Sequence, residues 1–152
     1  MSLARLTIEI LEHSDPVDEE TFLIALEELR ERGVGVALDD IGLGRSNFRM
    51  ILLARPGLMK IDRYLVQGIH ADAARRAVLL SLKLLNEFLG SLLVAEGVES
   101  AEDLEVLREL KTPLAQGFQL CRPLAAGQLA DLLARASTGD CRWTRPLDPW
   151  AA

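Results

Sequence analysis

Aromatic side chains make up only 5% of this 152-residue chain, so any core must be packed from Leu, Val, Ile and Ala rather than from stacked rings. Cysteine is scarcer still. Cys121 and Cys141 show no metal or redox spacing, and reduced thiols in a cytoplasmic protein are the expected state. Basic charge is not in excess: a net charge of -6 argues against a general binder of DNA, RNA or anionic membrane, which would carry basic patches. A local site for an anionic ligand is still open, provided metal ions supply the positive charge. Long apolar runs are missing as well. The most apolar stretch, Ala77 to Val98, is broken by Lys83, Asn86, Glu87 and Glu96, so no membrane insertion is expected. The N-terminus lacks the basic-then-apolar layout of a signal peptide. The length suits one domain with a real core and is too short for two.

What the chain does have is a set of short apolar runs that end in acidic residues. They are Val34 to Leu38 followed by Asp39-Asp40, Leu58 to Ile61 followed by Asp62, and Leu92 to Ala95 followed by Glu96 and Glu99. Leu6 to Leu11, carrying Glu9 and followed by Glu12, opens the chain in the same style. Helical patterns lie between these runs: Asp18 to Arg32, a short stretch from Ser46 to Leu53, Asp72 to Leu89, and Ser100 to about Leu110. Gly33 and Gly90 stand as C-terminal stops, and Ser100 with Asp103 resembles a capping box. A fifth strand is expected at Leu114 to Phe118, a last helix at Ala125 to Ala136, and a polar C-terminal tail over 137–152 without regular structure. Strands and helices in strict alternation predict parallel strands with right-handed crossovers, either an open α/β sheet or part of a barrel. A complete (β/α)8 barrel usually needs ~250 residues. The prediction is therefore an incomplete TIM-like barrel of about five parallel strands, with the domain at 1–136.

In such folds chemistry gathers at the C-terminal ends of the strands, which is where these carboxylates fall. Clustered carboxylates repel one another unless cations hold them together, so a metal site is the obvious use. Asp39 and Asp40 point to opposite faces if the strand is regular, and can both approach one site only at its frayed end; the competing reading is an Asp-rich turn that caps the next helix. Lys60 lies inside an apolar strand, where an unpaired ammonium is costly. It either sits among the carboxylates and orients a phosphate or water, or snorkels to solvent, or pairs with Asp62 on its own face. Glu96 is placed to be a ligand or base, or else belongs with Glu99 to an acidic cluster at a helix N-terminus; Gln116 would put a neutral amide at the mouth of the site, and taken alone reads as an ordinary turn residue. His13 and His70 read as structural or surface residues, and Glu102, Asp103 and Glu105 as a solvated helix face.

Taken in order, Glu9-Ile-Leu-Glu12, Leu38-Asp39-Asp40-Ile-Gly42-Leu-Gly44-Arg-Ser46, Met59-Lys60-Ile-Asp62-Arg63, Ala95-Glu96-Gly97-Val98-Glu99 and Gln116-Gly117-Phe118 resemble the EAL-domain family of bacterial cyclic di-GMP phosphodiesterases and their catalytically dead relatives. The resemblance runs to about Leu124. It implies a modified TIM barrel with a two-metal site of Mg2+ or Mn2+ that hydrolyses cyclic di-GMP to linear pGpG. It also implies that Glu9, Asp39, Asp40 and Glu96 bind metal, and that Lys60 and Gln116 position substrate or water. Glu96 alternatively serves as the base, and Glu12 steadies the loop after Asp39-Asp40.

There are departures from the pattern. By the same resemblance, the Glu-Ala-Leu signature and a strand bearing a metal-binding asparagine would lie upstream of Leu6, where this sequence has five residues. Ile41, Leu43, Arg45 and Asn47 stand where the family usually has Phe, Thr, Tyr and Ser, which puts the packing of that loop in doubt. The resemblance thus implies a portion of a phosphodiesterase whose metal site is incomplete here, with no cleavage expected from this chain alone. The alternative is a non-catalytic cyclic di-GMP-binding or protein-interaction module. An open barrel is expected to self-associate through its edges or to pair with the missing strands.

Overall fold

The structure, a computed structural model, describes Leu3 and residues 6–16, 18–42 and 48–137. Five parallel strands form one sheet in the order β1 (Thr7–Leu11), β2 (Gly35–Ile41), β3 (Leu58–Ile61), β4 (Leu92–Ala95) and β5 (Leu114–Ala115). Between them run α1 (Glu19–Glu31), α2 (Phe48–Ala54), α4 (Ala73–Leu89) and α5 (Ala101–Glu109), and α6 (Ala126–Ser137) follows β5. A one-turn α3 (Arg63–Val66) and a 3-10 turn (Ile69–Ala71), neither expected from sequence, fill the connection from β3 to α4. Neighbouring strands that are consecutive in sequence and all parallel give the alternating winding of a barrel wall, as expected.

Local chemistry explains the helix ends. The Asp18 side chain accepts from the Glu20 amide to cap α1, Asp72 accepts from the Ala74 and Arg75 amides to cap α4, and Ser100 accepts from the Asp103 amide to cap α5. Gly90 ends α4 at φ 66°, a left-handed conformation that glycine takes without Cβ strain. The interior lies between one face of the sheet and the helices. Val36, Leu38, Met59, Ile61, Leu93 and Ala95 project from the strands onto Leu26 of α1, Met50 and Ile51 of α2, Leu79 and Leu82 of α4, and Leu104 and Leu107 of α5. Leu38 and Met59 are partners in register and both fully buried, so Leu38→Ala would cost about 3 kcal/mol. α6 contributes nothing to this core, and Leu129 and Leu133 on it are exposed.

Alternation then assigns the opposite face of the sheet to Glu9, Ala37 and Asp39, and Lys60 and Val94. Two strand ends and one register differ from expectation in ways that bear on this face. β2 does not stop at Leu38 but runs to Ile41. Between Leu38↔Met59 and Ile41↔Ile61 the register shifts, with two residues on β2 opposite one on β3. Those two are Asp39 and Asp40, and Asp40 sits at φ 61°, so the acidic pair forms a β-bulge within the strand rather than a frayed end beyond it. β5 is shorter than expected because the chain turns at Gly117: a Cβ there would overlap the Val98 backbone, and the amides of Leu120 and Cys121 close the turn on the Gly117 carbonyl. The expected domain and tail meet at the end of α6; the tail beyond Ser137, and the loop substitutions at Leu43, Arg45 and Asn47, lie outside the described residues. No helix among the described residues is long and apolar enough to cross a membrane.

Candidate active site

β3 delivers Lys60 to the middle of the non-helical face. Its Nζ lies 3.0 Å from Glu9 Oε1 of β1, 3.0 Å from Asp39 Oδ1 of β2 and 3.1 Å from Glu96 Oε1 just past β4. Only 12% of the Lys60 side chain is exposed, which excludes snorkelling. Asp62 is not its partner either, because that carboxylate accepts from the Tyr64 amide and caps α3. Of the groups the sequence analysis singled out, Glu9, Asp39, Lys60 and Glu96 therefore converge on one point from four elements.

Asp40, the other half of the bulge, donates its amide to Asp39 Oδ1 at 2.9 Å and takes no part in holding Lys60. Glu12 is buried, and its Oε2 accepts from the Gly42 amide at 3.2 Å, which ties the end of β1 to the turn leaving β2. Gln116 is exposed, and its backbone is fixed between β4 and the following turn: its amide donates to Ala95 and its carbonyl accepts from Val98. That places it one strand beyond Glu96.

Burial alone would lower the Lys60 pKa. Its hydrogen bonds to Glu9, Asp39 and Glu96 outweigh that and hold the ammonium above the ordinary lysine value, so it stays charged. Glu96 moves the other way from most paired carboxylates. Burial raises its pKa, the Lys60 contact opposes, and repulsion from Asp39 and Glu9 adds to the rise. Three carboxylates against one ammonium leave the cluster short of positive charge.

The donors suit a hard divalent ion in kind, since all are carboxylate oxygens. Their present arrangement is closed on Lys60, and among the described residues no three acidic, imidazole or thiol side chains are grouped to hold a metal.

One residue near this site carries a role that the sequence reading missed. Asp103 is not part of a solvated helix face; it is 3% exposed. It lies in the first turn of α5, where its side chain turns back onto the connection after β3 and accepts from the Gly68 amide, the His70 amide and His70 Nδ1. Burial would raise its pKa, but the His70 and Gly68 hydrogen bonds hold it down at about 2. The signal available in the sequence was Ser100 three residues earlier: with Ser100 capping the helix, the Asp103 carboxylate is left for another partner. His70 is the surface half of that pair, in keeping with its structural reading.

Residues 1–123 match the EAL domain family. Over 126 residues the chain is 33% identical to the bifunctional diguanylate cyclase/cyclic di-GMP phosphodiesterase MucR of Pseudomonas aeruginosa, an alignment that covers 83% of this chain and 18% of that protein. It is similar in structure to the EAL domain of Mycobacterium smegmatis DcpA, with a TM-score of 0.80, 32% identity, and coverage of 85% of this chain and 58% of the other. The manganese and cyclic di-GMP complex of Klebsiella pneumoniae BlrP1 superposes with a TM-score of 0.75 at 32% identity, covering 81% of this chain and 31% of that one. The chain thus spans a minor part of the curated relative's length and little more than half of the DcpA domain.

Proposed function

This chain belongs to the EAL domain family, and on that premise we propose that it is the portion of a cyclic di-GMP phosphodiesterase that carries the water-activating and part of the metal-binding machinery. The observation that carries this reading is the convergence of Glu9, Asp39 and Glu96, from three separate strands or strand ends, on the Lys60 ammonium at 3.0–3.1 Å. Glu9, Asp39, Asp40 and Glu96 would hold Mg2+ or Mn2+ ions, which when bound supply the charge that activates a water and stabilises the leaving oxygen of the phosphodiester.

The protein groups do the rest. Glu96, with its carboxyl raised above its ordinary value chiefly by burial, is suited to take a proton from that water, because a base works best with a pKa nearer neutrality. Lys60, released from some of its carboxylates, keeps its charge and aligns a non-bridging phosphate oxygen. The exposed Gln116 offers an amide at the mouth of the site. Glu12, through the Gly42 amide, fixes where the loop after Asp40 departs.

A second reading rests on a specific observation: the carboxylates are closed on Lys60, with no three placed for an ion among the described residues. It favours a chain that binds cyclic di-GMP without turning it over. Calorimetric titration of cyclic di-GMP into the purified chain, with Mg2+ or Mn2+ and chromatography of the products, separates the two. Binding without pGpG supports the module. Metal-dependent pGpG, from this chain or from one preceded by the first barrel strands of a relative, supports the phosphodiesterase. Absence of pGpG from both forms at any metal concentration would refute it. The exposed Leu80, Leu84 and Phe88 on α4 keep self-association as a further expectation, read by light scattering.

A further inference from the structure

Two bridges join the segment that leaves β3 to the segment that leaves β4. In the first, Asp103 Oδ2 accepts from the Gly68 amide at 3.0 Å, while Oδ1 accepts from the His70 amide at 3.1 Å and contacts His70 Nδ1 at 2.7 Å. In the second, Gln67 Nε2 donates to the Gly97 carbonyl at 3.3 Å. Gly97 sits at φ 66°, and the Arg63 side chain occupies the space where a Cβ would stand, so the β3 segment also packs directly on the residue after Glu96. Helix capping by Ser100 and Asp103 does not account for the bonds Asp103 also makes to Gly68 and His70, which lie outside α5. A carboxylate this deep is costly unless its oxygens are hydrogen-bonded, and besides Ser100 of its own helix cap it takes donors from Gly68 and His70 of the neighbouring connection.

We propose that Asp103 is a positioning residue for the contact between Lys60 and Glu96. Its carboxylate pins Gly68 and His70, and with them the adjoining Gln67. Gln67 and Arg63 then hold Gly97, and the peptide of Gly97 sets the direction in which Glu96 leaves β4. At its other end the pinned segment is continuous with β3, which carries Lys60. One buried carboxylate thereby fixes the separation of two groups on neighbouring strands without touching either. The bearing on catalysis rests on the reading proposed above; the coupling itself does not.

The chain has three lysines, Lys60, Lys83 and Lys111, few enough for their 15N-labelled ammonium groups to be resolved in the full chain by magnetic resonance. Lys83, paired with Glu87 at 2.8 Å within α4, is an internal control. Asp103→Ala should speed solvent exchange of the Lys60 ammonium about ten-fold or more while leaving Lys83 unchanged. Asp103→Asn, which keeps one acceptor, should fall between. Gln67→Met, similar in length but without the donor, should also speed exchange at Lys60. Leu82→Ala, a core change in α4 that belongs to neither bridge, should not. Unchanged Lys60 exchange in folded Asp103→Ala overturns the proposal, as does equal acceleration by Leu82→Ala. If Asp103→Ala does not fold, Gln67→Met decides by the same criterion. The measurement needs neither metal nor nucleotide, so loss of this coupling and absence of cyclic di-GMP cleavage are separate results.

Discussion

The two ends of the β-sheet solve the same problem, satisfying polar groups at strand termini, in opposite ways. At the N-terminal end the partners are neutral. Ser91 Oγ donates to the Pro56 carbonyl at 2.6 Å, Asn86 Nδ2 donates to the Ser91 carbonyl at 2.7 Å, and the Leu92 amide donates to Gly57. At the C-terminal end, three carboxylates from separate elements share one ammonium. The first arrangement is indifferent to pH and ions. The second is a charge cluster that a competing cation can reorganise. That contrast marks one end as built for stability and the other as kept adjustable.

The largest effect that tests the contrast is on chemistry. In whichever form of the protein cleaves cyclic di-GMP, Glu96→Gln and Lys60→Met should each lower the rate about a thousand-fold, roughly 4 kcal/mol of barrier, whereas Ser91→Ala stays within about two-fold. A cleaving Glu96→Gln variant would remove Glu96 from the base role. Next in size is the stability of the cluster itself. Lys60→Met leaves Glu9, Asp39 and Glu96 facing one another and should cost about 3 kcal/mol in urea unfolding with chelator present. Added Mn2+ should restore part of that loss, and no recovery would mean the carboxylates do not take an ion. Glu96→Gln, which removes the repulsion with Asp39 and Glu9 along with the Lys60 ion pair, should be close to neutral for stability at pH 7.

Acid should separate the ends a third way. Asp103 has a folded pKa of about 2 against 3.8 unperturbed, so the unfolded chain binds the extra proton between those values. Its contribution, roughly 2 kcal/mol, is complete above about pH 5 and lost as pH falls through about 2. The gap in urea midpoint between the parent chain and Asp103→Asn should therefore close toward low pH; a gap that stays constant would contradict the depressed pKa. Smallest is Ser91→Ala, about 1 kcal/mol, independent of pH and of metal. A metal-dependent cost there would erase the distinction between the two ends.

The sequence carried most of this where a pattern was repeated. β3 and β4 fall where apolar runs bounded by turn signals put them, because short buried strands leave little choice of register. That Asp39, Lys60 and Glu96 stand near one end of the sheet was legible because each follows or interrupts such a run, while Glu9 was singled out through the resemblance. Partners distant in sequence were not legible. Lys60 was weighed against snorkelling and against Asp62, two residues away, since no local rule announces that Glu9, Asp39 and Glu96 will be brought to it by the fold. Asp103 was misread for the same reason: its place among Glu102 and Glu105 resembles a solvated face, and only the loop from β3 folding across α5 buries it. The bulge escaped too, because an extra residue in a ladder is defined by the strand opposite.

That extra residue has an evolutionary corollary. Deleting either Asp39 or Asp40 would bring Leu38 and Ile41 back into step with Met59 and Ile61 and mend the ladder between β2 and β3. By backbone criteria alone the shorter gene would encode the more regular sheet. Either deletion would still leave one aspartate opposite Lys60, so what the bulge adds to the sheet is room for a second carboxylate at the same place.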